Sequence, residues 1–430
     1  MKFLYKDTSL LLPDVIENTA KSLTPYIEQI QTVVDSKRYE AAESSINLPS
    51  DEALLKKVKE LKDQKVTSKL KYIIDIGIGG SNLGTKAVYD AFFGYYDILE
   101  PNRTSHPKMI FVDTNEEEFL AKIVTFIGSL NDKEEILVNT ISKSGGTTET
   151  IANTEIIMAA LEKKFPGAKD RLVITTDEGS ALWEESKKQG ISVLGLPKQV
   201  GGRYSVLSAV GLFPLAAAGL DIDALRAGAV DARTKALNKD IETNEAVISA
   251  TILYLHYRNG KNINDNFFFA PQLESIGKWY RQLMGESCGK DGKGITPTVS
   301  LGSTDLHSVG QLYLGGPKDK TFTFVSVEKP ALEATVPSTL QFPLVEHLEN
   351  KRASTIMKAI REGVKYAYDK QEQPFMEIVL DEVNEYNLGE YLQFKMTEMM
   401  YLGKLMGVNT FDQPHVELYK VETKRVLKES

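Results

Sequence analysis

The sequence predicts an α/β protein whose parallel sheets are covered by helices on both faces. Short apolar runs alternate with longer segments in which apolar residues recur at helical spacing, a pattern typical of parallel sheets. The composition, 42% hydrophobic and 26% charged, is that of an ordinary globular protein. Because 430 residues exceed what one ordinary core organises, we expect two or three domains.

Eight apolar runs are candidate strands. Five of them suffice for one doubly wound sheet: 72–78, 109–113, 136–141, 172–175 and 193–196. Three more follow an apolar helical region and indicate a second sheet: 267–270, 322–327 and 377–380. We therefore place a first domain at 50–225. A second, larger domain is expected from 1–49 and 226–430, with helices from both chain ends.

Helices are predicted between these strands, for example at 147–164 and 244–258. A further helix, 272–284, is expected to end at Gly285, because glycine often follows the last helical residue. The uncharged run 204–220 contains two serines and Pro214 and falls just short of a membrane span. A buried helix explains it better.

Charge and cysteine content narrow the class of protein. A formal charge of −8 argues against a nucleic-acid-binding surface. Cys288 is the only cysteine, so no intrachain disulfide can form and a reducing compartment is indicated. The first residues lack the apolar region of a signal peptide. We expect a cytoplasmic protein with no membrane or nucleic-acid partner.

Two glycine-containing loops follow predicted strands of the first sheet. The loop 142–147, Ser-Lys-Ser-Gly-Gly-Thr, offers hydroxyls, backbone N–H groups and a helix N-terminus to one anion. The second loop, 77–84, lies after the strand at 72–78. Such a hydroxyl-rich loop is more often an ordinary helix cap. The lysine, the paired glycines and the second loop favour a phosphate site, because ligands bind beyond the carboxyl ends of parallel strands.

The commoner nucleotide motifs do not fit the second loop. A dinucleotide fingerprint beginning at Gly77 would need glycine where Asn82 stands, and no acidic residue ends the next predicted strand at the expected distance of about 20 residues. A Walker A loop ending at Gly84 would need lysine and then serine or threonine, whereas Thr85 precedes Lys86. The phosphate is therefore not expected to belong to a nucleotide.

Six ordered blocks give the chain a resemblance to the phosphoglucose isomerase family over most of its length. They are I-G-I-G-G-S-N-L-G from Ile76, I-S-K-S-G-G-T-T-E-T from Ile141, G-G-R-Y-S-V-L-S-A-V-G from Gly201, Q-L-M-G-E-S from Gln282, S-T-D-L-H-S from Ser303 and F-D-Q-P-H-V-E-L-Y-K from Phe411. The last block fits the family's C-terminal signature. Lys198 departs from the family, which usually has an acidic or small polar residue there.

The resemblance implies a cofactor-free, metal-free aldose–ketose isomerase of glycolysis and gluconeogenesis. Its substrates would be glucose 6-phosphate and fructose 6-phosphate, interconverted through a cis-enediol. Its fold would be two sugar-isomerase (SIS) domains, and its assembly a homodimer with His307 reaching across the interface. The residues that would bind the substrate are Gly80, Ser81, Ser142, Lys143, Ser144, Thr147, Gln282 and Gln413. The catalytic residues would be Glu286 as base, Arg203 as charge stabiliser, His307 and Lys420 as the ring-opening pair, and Glu149 in support of His307.

The chemistry needs residues of these types. One carboxylate can remove a proton from C2 and return it at C1, and a fixed arginine can stabilise the enediolate formed in between. Ring opening needs a further acid and base, and histidine titrates in the right range. Each residue also has an ordinary explanation. Glu286 could be a solvated helix-end residue, Arg203 a local cap, His307 structural and Lys420 part of a solvated helix face.

Three rival functions remain open from the residues. A non-catalytic sugar-phosphate-binding regulator built on SIS domains would need the loop 142–147 but not Glu286, His307 or Lys420. An aminosugar-phosphate isomerase would share the domain type but not the C-terminal block. A nicotinamide oxidoreductase is disfavoured by Asn82. We expect the isomerase.

Overall fold

The computed structural model describes residues 1–100 and 105–429. Within them, ten strands form two five-stranded sheets that helices cover, which confirms the predicted α/β class. The strands are β1 (Lys2–Leu4), β2 (Tyr72–Ile76), β3 (Lys108–Val112), β4 (Ile136–Ile141), β5 (Leu172–Asp177), β6 (Ser192–Leu196), β7 (Ile263–Phe268), β8 (Thr296–Leu301), β9 (Lys320–Val327) and β10 (Phe375–Leu380).

Fifteen α-helices connect and cover the strands in the described ranges. They are α1 (Pro13–Lys21), α2 (Thr24–Ser36), α3 (Glu52–Lys65), α4 (Leu83–Phe92), α5 (Glu117–Ser129), α6 (Thr148–Lys164), α7 (Ala181–Lys188), α8 (Ala209–Ala217), α9 (Ile222–Ala236), α10 (Glu245–Arg258), α11 (Glu274–Cys288), α12 (Gly310–Gly315), α13 (Ala353–Lys370), α14 (Glu385–Met406) and α15 (Glu417–Glu429). None of the helices described is both long enough and apolar enough to cross a membrane.

The first sheet has the strand order β3-β2-β4-β5-β6, and all of its strands are parallel. All six residues of β4 are buried, as expected for a central strand covered on both faces. The chain reverses its direction of winding at β2 and β4, where crossovers leave in opposite directions. This is the position at which open parallel sheets bind ligands. The loops after β2 and β4 therefore lie side by side.

The second sheet has the order β1-β10-β9-β7-β8, in which only β1 is antiparallel to its neighbour. Neither β1 nor β8 is among the predicted strands. Strand β1 has only three residues, and β8 contains Pro297, which argues against a central strand. The structure resolves the conflict because β8 lies at the sheet edge, where proline is tolerated.

Two predicted helices have different bounds in the structure. The run 204–220 becomes helical only from Ala209, because Gly202–Tyr204 form a separate turn that positions Arg203. Helix α11 continues through Gly285 to Cys288, so Glu286 lies inside its last turn rather than after it. Helix α11 also packs against α4, which joins the helix after β7 to the helix after β2. The domain boundaries at 50 and 225 stay a prediction.

Candidate active site

The loop 142–147 connects the end of β4 to the start of α6. Ser142 is buried, and its Oγ lies 2.9 Å from Oγ1 of Thr147. The Thr147 N–H also approaches Ser142 Oγ, at 3.4 Å. Thr147 occupies the N-cap position but makes no side-chain cap bond, so the first N–H groups of α6 keep their capacity to bind an anion.

Gly145 shows why this loop needs glycine. Its φ of +69° lies in the left-handed region that other residues rarely adopt. A Cβ added there would come within 2.8 Å of Leu182 Cβ, on α7. The loop is therefore pressed directly against the beginning of α7.

The turn Gly79–Ser81, after β2, brings a second set of backbone groups to the same edge. A Cβ on Gly79 would lie 2.9 Å from Nε2 of Gln282, and one on Gly80 would lie 2.1 Å from the carbonyl carbon of Gly202. Only glycine allows such close approach of the backbone. This turn thus contacts both α11 and the segment that carries Arg203.

Arg203 is the most extensively bonded side chain of the site, although only 1% of it is exposed. Its guanidinium donates to Ser287 Oγ (3.0 Å), Glu286 Oε2 (3.2 Å), Gln413 Oε1 (3.1 Å), the carbonyl oxygen of Asp412 (3.1 Å) and the carbonyl oxygen of Thr410. Because these acceptors come from two separate parts of the chain, the guanidinium is held in one orientation. The guanidinium therefore presents a fixed positive charge to the Glu286 carboxylate.

Glu286 faces this guanidinium from the last turn of α11. Its Oε1 accepts a hydrogen bond from Gln282 Nε2 at 2.9 Å, and its Oε2 accepts the bond from Arg203. The carboxylate remains 28% exposed, so a small molecule can reach it. A carboxylate beside a fixed guanidinium can move a proton while the guanidinium stabilises developing negative charge.

The end of the first sheet carries further positive charge. Burial lowers the pKa of the Lys143 ammonium, Asp177 partly opposes this, and Arg203 and Lys198 lower it further. Burial also raises the pKa of Asp177, against the influence of Lys143 and Lys198. Lys143 and Lys198 thus both act on the Asp177 carboxylate, and the Arg203 charge acts on Lys143. An anionic ligand at the loop 142–147 would compensate the excess positive charge.

The segment 409–413 is fixed to the site by Lys290, a residue that the sequence analysis did not identify. Its buried ammonium lies 3.0 Å from Asp412 Oδ1 and also donates to the carbonyl oxygen of Asn409. This attachment sets the position of Gln413, whose Oε1 contacts Arg203. Gln413 therefore lies beside Arg203, which also contacts Glu286, the hydrogen-bond partner of Gln282.

The chain by itself does not bring the other predicted catalytic residues to Glu286. His307 is exposed at the end of the short turn Thr304–His307, and Lys420 pairs with Glu417 at 2.7 Å on α15. Glu149 lies half-buried in the first turn of α6. Within residues 1–100 and 105–429, none of the three forms a hydrogen bond or ion pair with Glu286 or Arg203. Their roles stay predictions.

Other residues of the site also escaped the sequence analysis. Ser287 and Tyr204 each follow a predicted residue, and Tyr204 Oη lies 3.0 Å from Ser287 Oγ. Their adjacency to Glu286 and Arg203 was the available signal. In the part of the chain that the structure describes, no group of three or more His, Cys, Asp or Glu residues is arranged to hold a metal ion.

Comparison with known families gives a match over most of the chain. The family model of phosphoglucose isomerase matches residues 55–317. Glucose-6-phosphate isomerase of Levilactobacillus brevis is 37% identical over 363 residues, which are 83% of this chain and 80% of that protein. The enzyme of the same name from Latilactobacillus sakei is 36% identical over 362 residues, with the same coverage.

Solved structures share the fold over nearly the whole chain. A hypothetical protein of Thermus thermophilus superposes with a TM-score of 0.85 at 31% identity, covering 98% of this chain and 99% of its own. A glucose-6-phosphate isomerase of Chlamydia trachomatis gives a TM-score of 0.81 at 21% identity, covering 99% and 88%. At 21% identity, the likeness to the Chlamydia trachomatis structure shows the shared fold alone.

Proposed function

The chain belongs to the phosphoglucose isomerase family, and from this membership we infer that it is an aldose–ketose isomerase interconverting glucose 6-phosphate and fructose 6-phosphate. The observation that carries the inference is the contact between Glu286 and Arg203 beside an anion-binding loop. The names of the curated relatives support this enzyme rather than the non-catalytic regulator.

The phosphate is proposed to bind at the loop 142–147. The N-terminus of α6, the Ser142 and Thr147 hydroxyls and the Lys143 ammonium supply donors and positive charge there. Ser144 completes the loop, and Gly80 and Ser81 approach from the neighbouring strand end. This anchor holds the sugar so that its reacting carbons extend toward α11, where Glu286 and Gln282 lie.

Proton transfer is assigned to Glu286. Its carboxylate removes the proton from C2 of the open-chain aldose and returns it to C1, so that the bond to C2 breaks and the bond to C1 forms. The hydroxyl proton of O2 passes to O1 in the enediol, so that C2 becomes the carbonyl and C1 carries the hydroxyl. The negative charge that develops on oxygen is stabilised by Arg203. The four bonds from Arg203 to residues other than Glu286 keep the guanidinium in place when the substrate displaces the contact between them.

Ring opening is assigned to His307 and Lys420, with Glu149 in support, in a homodimer whose site is completed across the interface. Helix α15 supports association, because it has no buried residue and exposes Leu418, Tyr419 and Val421. Such adjacent apolar surface is typical of an interface. A partner could bring His307 to a site that the single chain leaves without it.

A mixed-dimer experiment tests this assembly. Glu286→Gln and His307→Ala chains, inactive alone, are unfolded together, refolded and assayed. Random pairing makes about half of the dimers mixed. If the partner supplies His307, one of the two sites in each mixed dimer has both residues intact, so about a quarter of the wild-type sites are restored. If both residues act within one chain, no activity returns and the shared site is refuted.

The isomerase function itself is tested in heavy water. Glucose 6-phosphate is expected to form fructose 6-phosphate that carries solvent deuterium at C1, detected by NMR. Tight sugar-phosphate binding without interconversion would favour the regulator instead. We further propose a cytoplasmic location, supported by the family and by the single cysteine, Cys288, which is buried and free.

A further inference from the structure

A cavity of about 360 Å³ lies between α6 and α7 on the face of the first sheet, away from Glu286. Its volume falls within the range of small-molecule sites, about 300–1,000 Å³. The floor is largely apolar and includes Met158, Leu172, Ile174 and Leu182. We call it the α6/α7 cavity. Its floor would take a hydrocarbon group.

The rim of the α6/α7 cavity is acidic. Glu155, Glu162 and Glu185 line it, against the single cation Lys169. The Lys169 ammonium donates to Gln189 Oε1 at 3.0 Å. Glu185 Oε1 accepts from Gln189 Nε2 at 2.9 Å, and Lys188 lies 3.8 Å from Glu185 Oε2.

Among these carboxylates, Glu155 has neither a hydrogen-bond nor an ion-pair partner in residues 1–100 and 105–429. Glu162 accepts only backbone N–H groups, from Gly167 and Lys169. The rim is therefore complementary to a positive charge.

Both helices that form the cavity also support the loop 142–147. Helix α6 begins directly after Thr147, and Leu182 of α7 lies against the position that a Cβ of Gly145 would occupy. The Thr140 and Thr154 hydroxyls, 2.9 Å apart, join α6 to β4 at the cavity wall. A ligand packed between these helices would restrain both supports of the loop.

We propose that the α6/α7 cavity binds a small amphipathic organic cation, an ammonium group with a short hydrocarbon chain, and thereby strengthens anion binding at the loop 142–147. The hydrocarbon chain packs on the apolar floor and the ammonium faces Glu155 and Glu185. The strengthening follows because a ligand that already restrains α6 and α7 lowers the conformational entropy that anion binding at the loop then loses.

Titration calorimetry of the full chain with n-hexylammonium tests the site. Hexylammonium should bind, hexanoate should bind at least about fivefold more weakly, and Glu155→Gln should weaken hexylammonium about 1.5- to 5-fold. Ala159→Trp, which fills the cavity, should abolish binding, and Ala121→Trp on the exposed face of α5 should not. Equal binding of hexanoate, or of hexylammonium to Ala159→Trp, would overturn the proposal, as would no binding.

The coupling is measured with inorganic phosphate, so it does not depend on turnover or on the proposed isomerase reaction. Saturating hexylammonium should tighten phosphate binding at least about twofold. The same titration with Glu155→Lys, a substitution at an exposed position, should show little effect of hexylammonium. An unchanged phosphate affinity in the wild-type chain refutes the coupling.

Discussion

Replacing Arg203 with lysine keeps the positive charge but removes the planar donor set. The guanidinium serves five acceptors, whereas a lysine ammonium has three donors at one point. At least two acceptors therefore lose their partner. At about 1–3 kcal/mol for each buried acceptor left unsatisfied, the total loss is at least about 2–6 kcal/mol.

This loss should divide between folding and catalysis. Acceptors on Ser287 and on segment 409–413 belong to the fold, so the free energy of unfolding should fall by at least about 1–3 kcal/mol. The misplaced charge should stabilise the enediolate less well. Removal of one oxyanion donor costs about 10²–10³ in kcat. Because lysine keeps the positive charge, the loss can be smaller, and we expect kcat to fall between about 10-fold and 10³-fold.

The assay is steady-state isomerisation of fructose 6-phosphate with a coupled dehydrogenase, together with urea unfolding. Arg281→Lys is the matched control, since Arg281 lies exposed on the same helix α11. It should change neither quantity appreciably. Wild-type kcat and stability in Arg203→Lys would refute the reasoning that orientation, rather than charge alone, matters.

Three further changes separate binding, positioning and pH effects. Ser142→Ala should raise KM about tenfold with kcat nearly unchanged, because it removes one hydrogen bond to a charged phosphate. Ser287→Ala should lower kcat more than it raises KM, because Arg203 Nε loses its acceptor; a larger change in KM would contradict this positioning role. Burial raises the pKa of Asp75 from 3.8 to about 7. Its contribution to stability is therefore present at low pH and lost as the pH rises through 7. Between pH 5 and pH 8, Asp75→Asn should gain roughly 2–3 kcal/mol of unfolding free energy relative to wild type, which urea titrations would show.

The sequence predicts the strands of the first sheet better than those of the second, where β7 spans Ile263–Phe268 rather than 267–270 because its first half is polar. Strand β4 has the predicted bounds, because a strand buried on both faces is continuously apolar. Strand β8 escapes detection because Pro297 argues against a strand until its edge position is known. The last turn of α11 escapes because Gly285 resembles a helix end, although its conformation is helical.

Some groups of the candidate site could likewise be predicted from the sequence, and others could not. Arg203, Gln282 and Glu286 could be selected because their motifs are distinctive, and the chain brings them within hydrogen-bonding distance. The carbonyl oxygens of Thr410 and Asp412 could not be foreseen, because every residue has such a group and only the fold selects which ones accept. His307 cannot be placed at the site from one chain, since its proposed partners lie on a second copy. Lys420 pairs with Glu417 on α15, and its role stays a prediction.

The central claim is that the Glu286 carboxylate moves the proton between C2 and C1. Glu286→Gln should bind fructose 6-phosphate with near wild-type affinity, yet exchange no C1 hydrogen with heavy water when followed by NMR. Glu274→Gln, a control in the first turn of the same helix α11, should exchange at the wild-type rate. Solvent exchange at an undiminished rate in Glu286→Gln would contradict the assignment of Glu286 as the base.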